Sequence, residues 1–393
     1  MKKFDVLIIG AGAAGLMCAI EAGKRGRSVL VIDHANKAGK KILMSGGGRC
    51  NFTNTDASAD NYISHNPQFC KSALSRYTPW HFIDLVQQHN IPFHEKTLGQ
   101  LFCDNKSKDI LDMLLAECEK VSAKVQLNTS VNSIKQQSDN KFLVSTTGGE
   151  INCESLVIAS GGLSIPTMGA SPFGYKVAEQ FSIKVYPTRA ALVPFTLHQD
   201  DKDILLELSG ISLDSVADCN QQSFREALLF THRGLSGPSM LQISSYWKPG
   251  DALTIDLLPG IDLYEELKTA QQEKPTTMLK NLLSQYFPKR HVAVWLNSDL
   301  EESTLANCSH KQFKAIADSF HQWQIRPNNT EGYRTAEVTL GGVDCNAISS
   351  KTFEANETSG LYFIGEVLDV TGWLGGYNFQ WAWASGHAAG TVV

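Results

Sequence analysis

The spacing of apolar and polar residues divides the chain into segments of different period. Residues 4–9 (Phe-Asp-Val-Leu-Ile-Ile) are apolar at all but one position, as in a strand buried on both faces. Gly10-Ala-Gly-Ala-Ala-Gly15 follows, then Leu-Met-Cys-Ala-Ile-Glu-Ala, which predicts a helix, and Ser28-Val-Leu-Val-Ile32, a second apolar strand ending at Asp33. Further strand-like runs cover residues 124–131, 142–147 and 155–160. From about Ala190 the pattern changes to short strands with turn signals, which predicts a β-rich insertion. Residues 263–323 carry apolar positions at spacings of three and four, the helical period. A strand and a Gly-Gly turn return at Arg334–Val343. Gly360–Gly365 is a last apolar strand, followed by a closing helix over roughly Phe379–Gly390. These elements predict an α/β protein in three parts: a discontinuous domain of residues 1–189 and 335–393, an inserted β-rich domain of 190–260 and 324–334, and a helical subdomain of 261–323.

The first strand, turn and helix form a βαβ unit of Rossmann type with GxGxxG at the turn. Each position has a task. Gly10 permits the tight turn. Gly12 lets a pyrophosphate approach the backbone, and Gly15 lets helix and strand pack closely. The helix start, with Ala13 and Ala14, offers unpaired N–H groups and a positive dipole end to phosphates. Asp33 would accept from ribose hydroxyls and repel a 2′-phosphate, and His34 beside it is placed in the same site. The last strand ends in Gly365-Glu366 and leads through Gly375-Gly376-Tyr377-Asn378 into the closing helix. Glu366 can bond a ribityl hydroxyl or lie near the pyrophosphate. The helix start can aim N–H groups at the N1/C2=O edge of a flavin, where the reduced ring is negative. An enzyme using only NAD has no obvious need for this second element, so the pair points to FAD.

GAGAAG, Ser45-Gly-Gly-Gly-Arg-Cys-Asn-Phe-Thr-Asn54, Thr335-Ala-Glu-Val-Thr-Leu-Gly-Gly-Val343 and Gly365-Glu366 through Gln380 occur in this order over most of the chain. In these runs the protein resembles the BaiN/YhiN-like flavoprotein family of bacteria. The resemblance implies a glutathione-reductase-like FAD domain interrupted by insertions, and an NAD(P)/FAD-dependent oxidoreductase. Bile-acid enone reduction and aminoacetone oxidation are attached to the family name, and neither substrate is carried over. Asp33 stands where many relatives have Glu. In flavoproteins of this type the loop after the second strand runs under the pyrophosphate towards the isoalloxazine, which brings Lys40, Ser45, Gly46, Gly47, Arg49, Cys50 and Asn51 to the cofactor. The resemblance also places Val131 at the adenine, and Ser160 and Gly161 on a loop crossing FAD.

A catalytic acid is not identifiable from sequence. Tyr377, His232 and Cys50 are the candidates, against plainer readings as packed or hydrogen-bonded structural residues. No second strand-GxGxxG-helix unit exists, so NAD(P)H, if it is the donor, would bind transiently beside the ring.

Composition narrows the function classes. The chain of 393 residues is 42% hydrophobic and 19% charged, as expected of a globular protein. The net charge of −5 and the lack of a basic helix argue against nucleic acid as a partner. Nine cysteines without a CxxC pair predict buried thiols, no metal site and a cytoplasmic protein. No run is long enough to span a membrane. The leading expectation is hydride transfer through flavin N5 to or from a small molecule. The alternatives are a tRNA-modifying flavoenzyme, tested by salt-dependent binding of tRNA, and a flavin redox sensor without turnover.

Overall fold

The computed structural model describes residues 2–296 and 298–393. They form two compact units, Met1–Arg189 with Val338–Val393, and Ala190–Glu337. Among the described residues no helix is long and apolar enough to cross a membrane.

The first unit is built on strand β1 (Lys2–Ile9), helix α1 (Ala13–Lys24) and strand β2 (Val29–Ile32). Val6–Ile9 pair in parallel with Val29–Ile32 on one side and with Ser155–Ile158 on the other. The parallel sheet extends to Lys124–Gln126 beyond β2 and to Thr358–Phe363 beyond Gly149–Ile158. The strand Thr358–Phe363, near the C-terminal end of the sequence, thus joins the N-terminal sheet. The closing helix, Tyr377–Gly390, packs against α1 through its glycines. A Cβ on Gly386 would lie 2.4 Å from Ala14 O, and one on Gly390 2.7 Å from Cys18 O. Four residues apart, these two glycines lie on one face and let the helix backbones touch. Trp381 and Trp383 on the same helix are fully buried, so it shows no amphipathic stripe.

Two predicted elements of this unit differ. The run 124–131 is strand only over Lys124–Gln126, because Asn128 takes φ +52 and ends it; a new strand starts at Val131. The segment after β2, expected as loop, is helical from Lys40. It kinks at Ser45 and passes through left-handed Gly46 and Gly47 (φ +57 and +64).

The second unit holds an antiparallel sheet of seven strands, ordered Trp323–Ile325, Leu253–Asp256, Ser212–Cys219, Gln222–Phe230, Gly234–Ser236, Phe195–Thr196 and Asn329–Thr330. Short helices between Leu263 and His321 connect two adjacent strands of this sheet. Their apolar faces bury Leu263, Leu267, Phe313 and Phe320. Pro238 starts the helix Pro238–Ser244, where its fixed φ suits the first helical position.

Candidate functional site

The glycine-rich turn after β1 leaves no room for side chains where the backbones meet. A Cβ on Gly10 would lie 2.2 Å from Ala159 O, and one on Gly15 2.0 Å from Gly10 O. Gly12 differs: nothing lies within 4 Å of its would-be Cβ. It is also the N-cap of α1, which no side chain caps. Asp33 fixes this loop. Its Oδ2 accepts the Ala11 N–H and its Oδ1 the Ala35 N–H, both at 2.8 Å. A carboxylate has further lone pairs, so it remains competent towards a ribose. His34 is exposed beside it, with Nδ1 3.5 Å from Asp33 Oδ1.

The motifs far apart in sequence meet here. With its amide oriented to match its neighbours, Asn51 donates to Thr53 O and Leu101 O and accepts the Gly376 N–H, each at 3.2 Å. Asn54 donates to Gly375 O at 2.9 Å. Thr53 donates to the buried Gln380 at 2.7 Å. Asn378 folds back, accepting from Gly372 N–H at 2.8 Å and donating to Gly372 O at 2.9 Å. A Cβ on Gly376 would lie 2.4 Å from Thr53 O, which explains the Gly-Gly pair. A Cβ on Gly365 would touch Ala14 at 2.9 Å, so the last strand abuts the first turn.

Glu366 is the charged centre of this assembly. Oε2 accepts from Lys41 Nζ at 2.7 Å. Oε1 accepts the Thr339 N–H at 3.0 Å and the Ser164 hydroxyl at 3.3 Å. Lys41 also donates to Ser164 at 2.7 Å, and Thr339 Oγ1 accepts the Leu163 and Ser164 N–H groups. A Cβ on Gly161, at φ +72, would lie 3.9 Å from Glu366 Oε2. Sequence reasoning missed Lys41, Ser164 and Thr339. A signal existed, because Lys41 stands beside Lys40 and Thr339 lies inside a motif already singled out.

The other predicted residues divide by place. Ser45 donates to Ile42 O at the kink. Gly47 faces open space, and Arg49 is exposed next to it. Val131 begins its strand paired with Thr146. Of the catalytic candidates, Cys50 is fully buried with φ +51, and burial pushes its thiol up to about 12. Tyr377 is buried, with its carbonyl accepting from Tyr62 OH at 2.9 Å. His232 is an exposed turn residue of the second unit, whereas every predicted cofactor residue belongs to the first.

These residues fit FAD. Gly12 and Gly47 border space that a Cβ would fill, and the α1 N–H groups are uncapped. Ser160 Oγ is buried with no hydrogen-bond partner among the described residues.

Comparison with known proteins gives the same answer on the cofactor. The HI0933-like protein Rossmann domain matches residues 4–392. The chain is 54% identical over 390 residues (99% of this chain, 97% of the relative) to the ribosomal RNA dihydrouridine synthase of Escherichia coli K12. It is 53% identical over 392 residues (98% of each chain) to the protein of that name in Haemophilus influenzae. It is 26% identical over 405 residues (98% of each chain) to the 3-dehydro-bile acid delta(4,6)-reductase of Clostridium scindens. The first two relatives overturn the expectation that argues against nucleic acid as a partner, and they are nearer to the RNA-modifying alternative. A net charge of −5 is a sum over the whole chain and does not map local cations or stacking surfaces, through which single-stranded RNA is recognised. The chain belongs to the HI0933-like Rossmann domain family and is an FAD-dependent oxidoreductase.

Proposed function

We infer that the enzyme reduces uridine in ribosomal RNA to dihydrouridine, drawing hydride from NAD(P)H through FAD. The observation that carries this reading is 54% identity across 99% of the chain with a protein named for that reaction. Reaction chemistry supports it independently. The C5=C6 bond of uracil is conjugated to the C4 carbonyl, so hydride adds at C6 and a proton at C5. The more distant relative is named for reducing double bonds at positions 4 and 6 of a 3-dehydro bile acid, a related conjugated pattern.

Bound FAD would supply the hydride at its N5. The chain binds and orients. The open first turn of α1 would take the pyrophosphate, and Asp33 the adenosine ribose. Lys41, Glu366 and Ser164 hold a fixed charge pair near Gly161, and the start of the closing helix would lend its positive end to the ring. Because no second dinucleotide unit is present in the sequence, NAD(P)H would leave before the base enters, giving ping-pong kinetics.

The test uses ribosomal RNA lacking the modification, the FAD-loaded protein and NADH or NADPH. Nucleoside mass spectrometry is expected to find uridine gaining two hydrogens. Flavin bleached by a nicotinamide with no change in the RNA would sink the substrate and leave the oxidoreductase.

A further inference from the structure

We propose that the exposed face of His65 is a stacking shelf for a nucleobase of the RNA, a reading that rests on the proposed RNA substrate. The His65 ring lies 3.7 Å from the Tyr186 ring, with their planes 3° from parallel. Lys184 Nζ sits 4.0 Å from the Tyr186 centroid. Asp369 Oδ2 accepts the His65 backbone N–H and its Nδ1–H, each at 2.8 Å. This partner assigns the ring proton to Nδ1. The ring is therefore held by a stack, by its own backbone and by a carboxylate that is only 3% exposed. Yet the His65 side chain is 57% exposed. With one face on Tyr186 and Nδ1 turned to Asp369, that exposure belongs to the opposite face and the Nε2 edge.

A surface imidazole normally keeps its rotamer freedom. Here a buried carboxylate and a tyrosine are spent on fixing one flat, outward π-face. Burial pushes the Asp369 carboxyl up, and its bonds to His65 offset part of that cost. A flat aromatic face matches unpaired RNA, whose bases stack on aromatic rings, and Lys184, on the face of Tyr186 that His65 leaves uncovered, adds a positive charge at the back of the stack. The nearby acid, Asp344, turns its Oδ1 to the backbone and side chain of Asn346 and keeps its charge, which helps to raise the Asp369 carboxyl. The shelf is joined to the cofactor segment. Tyr62 and Ile63 pair with Gly372 and Thr371, and Asp369 lies between Glu366 and that pairing.

The experiment measures binding of a fluorescent oligouridine strand to the holoenzyme, together with ribosomal RNA reduction, for wild type, His65→Ala, His65→Phe and Tyr186→Leu. Thermal unfolding and flavin absorbance establish that each variant is folded. His65→Ala is expected to weaken RNA binding and raise KM by roughly tenfold, the size of one base–aromatic stack. His65→Phe, which keeps the flat face, is expected to stay within about twofold of wild type. Wild type active on RNA with His65→Ala unchanged would overturn the shelf alone. Equal losses in His65→Ala and His65→Phe would also overturn it, since stacking would not be the cause. A wild-type holoenzyme that neither binds the strand nor reduces ribosomal RNA would overturn the RNA reading and the shelf with it.

Discussion

In the unit that carries the Rossmann sheet, the partly buried Glu366 carboxylate has a partner for each oxygen. In the other unit, the fully buried His291 imidazole has none for either nitrogen among the described residues. Instead His291 stacks between Phe287 at 5.1 Å and Trp295 at 4.7 Å, against Phe320 and Phe230. A charge kept at a site must be paired and hydrogen-bonded, and the Lys41–Glu366–Ser164–Thr339 cluster meets that demand. A ring used only as a disc in an aromatic stack must stay neutral, and burial lowers His291 from 6.5 to about 4. The first arrangement preserves charge for function, and the second removes it for packing.

The most severe way to break the first arrangement is at its closest backbone contact. Gly15→Ala places a Cβ 2.0 Å from Gly10 O, and backbone cannot yield as a side-chain end can. The expected cost is roughly 4 kcal/mol or more. Loss of FAD on gel filtration and a drop in Tm of about 8 °C or more check it. A variant that keeps its flavin and its Tm would refute the assigned role of the turn.

The second arrangement breaks by acid. The folded His291 takes a proton only near pH 4, whereas the unfolded ring takes it near 6.5. Between these values the unfolded state holds the extra proton, so stability is complete above 6.5 and falls as the pH drops towards 4. The loss amounts to about 3 kcal/mol, at 1.36 kcal/mol per unit. His291→Phe fits the stack and has nothing to protonate. Its denaturation midpoint should be flatter with pH over this window than that of wild type. Equal slopes in the two proteins would exclude His291 as the acid-sensitive group.

How far each arrangement was legible in the sequence follows from range. The βαβ turn reads directly because the steric tasks of Gly10, Gly12 and Gly15 are local. The pairing of Asn51–Asn54 with Gly375–Gln380 was suggested by two unusual motifs, but their contact depends on the fold. His65 and Asp369 carry no shared motif at all, and only the pairing of Tyr62–Ile63 with Thr371–Gly372 brings them together. In the helical segment, the run 277–287 predicts one helix. The structure has only Leu279–Leu283, then a break before Pro288, whose ring disfavours helix in the preceding residue. The second helix, Lys289–Trp295, then turns His291 into the aromatic core, a placement no periodicity shows. Charge was the poorest guide, since a chain-wide sum hid the partner class of the relatives.

Lys41→Met sharpens the comparison by turning the first arrangement into the second kind, a buried polar group short of a partner. Glu366 keeps Thr339 N–H and Ser164, and Lys41 is 33% exposed, so the loss falls below that of a deeply buried pair. About 2 kcal/mol is expected, with weaker FAD retention. Lys41→Met combined with Glu366→Gln should recover part of the stability, because no unpaired charge remains. Additive losses in the double variant, measured by denaturant unfolding, would show that the pair is not coupled.

The smallest effect is expected at Cys50, where the two arrangements meet in one residue. Its neighbourhood lies in the cofactor unit, but its thiol is treated as His291 is: fully buried, with the ionised form suppressed to about 12. The Cys50 backbone matters, since its N–H donates to Ser45 O at 3.1 Å and closes the glycine turn. A thiol this enclosed, with its ionised form disfavoured by burial, is poorly placed to attack a substrate or cycle with the flavin. Cys50→Ala keeps the backbone bond and removes only the sulfur. It should cost about 1 kcal/mol of stability by loss of packing. Turnover should stay within about threefold of wild type, less than the roughly hundredfold that losing a general acid costs. A fall of that larger size with flavin still bound would make Cys50 a participant in proton transfer. It would also mean that the thiol reaches the reacting base through a motion opening the turn at Gly46–Gly48.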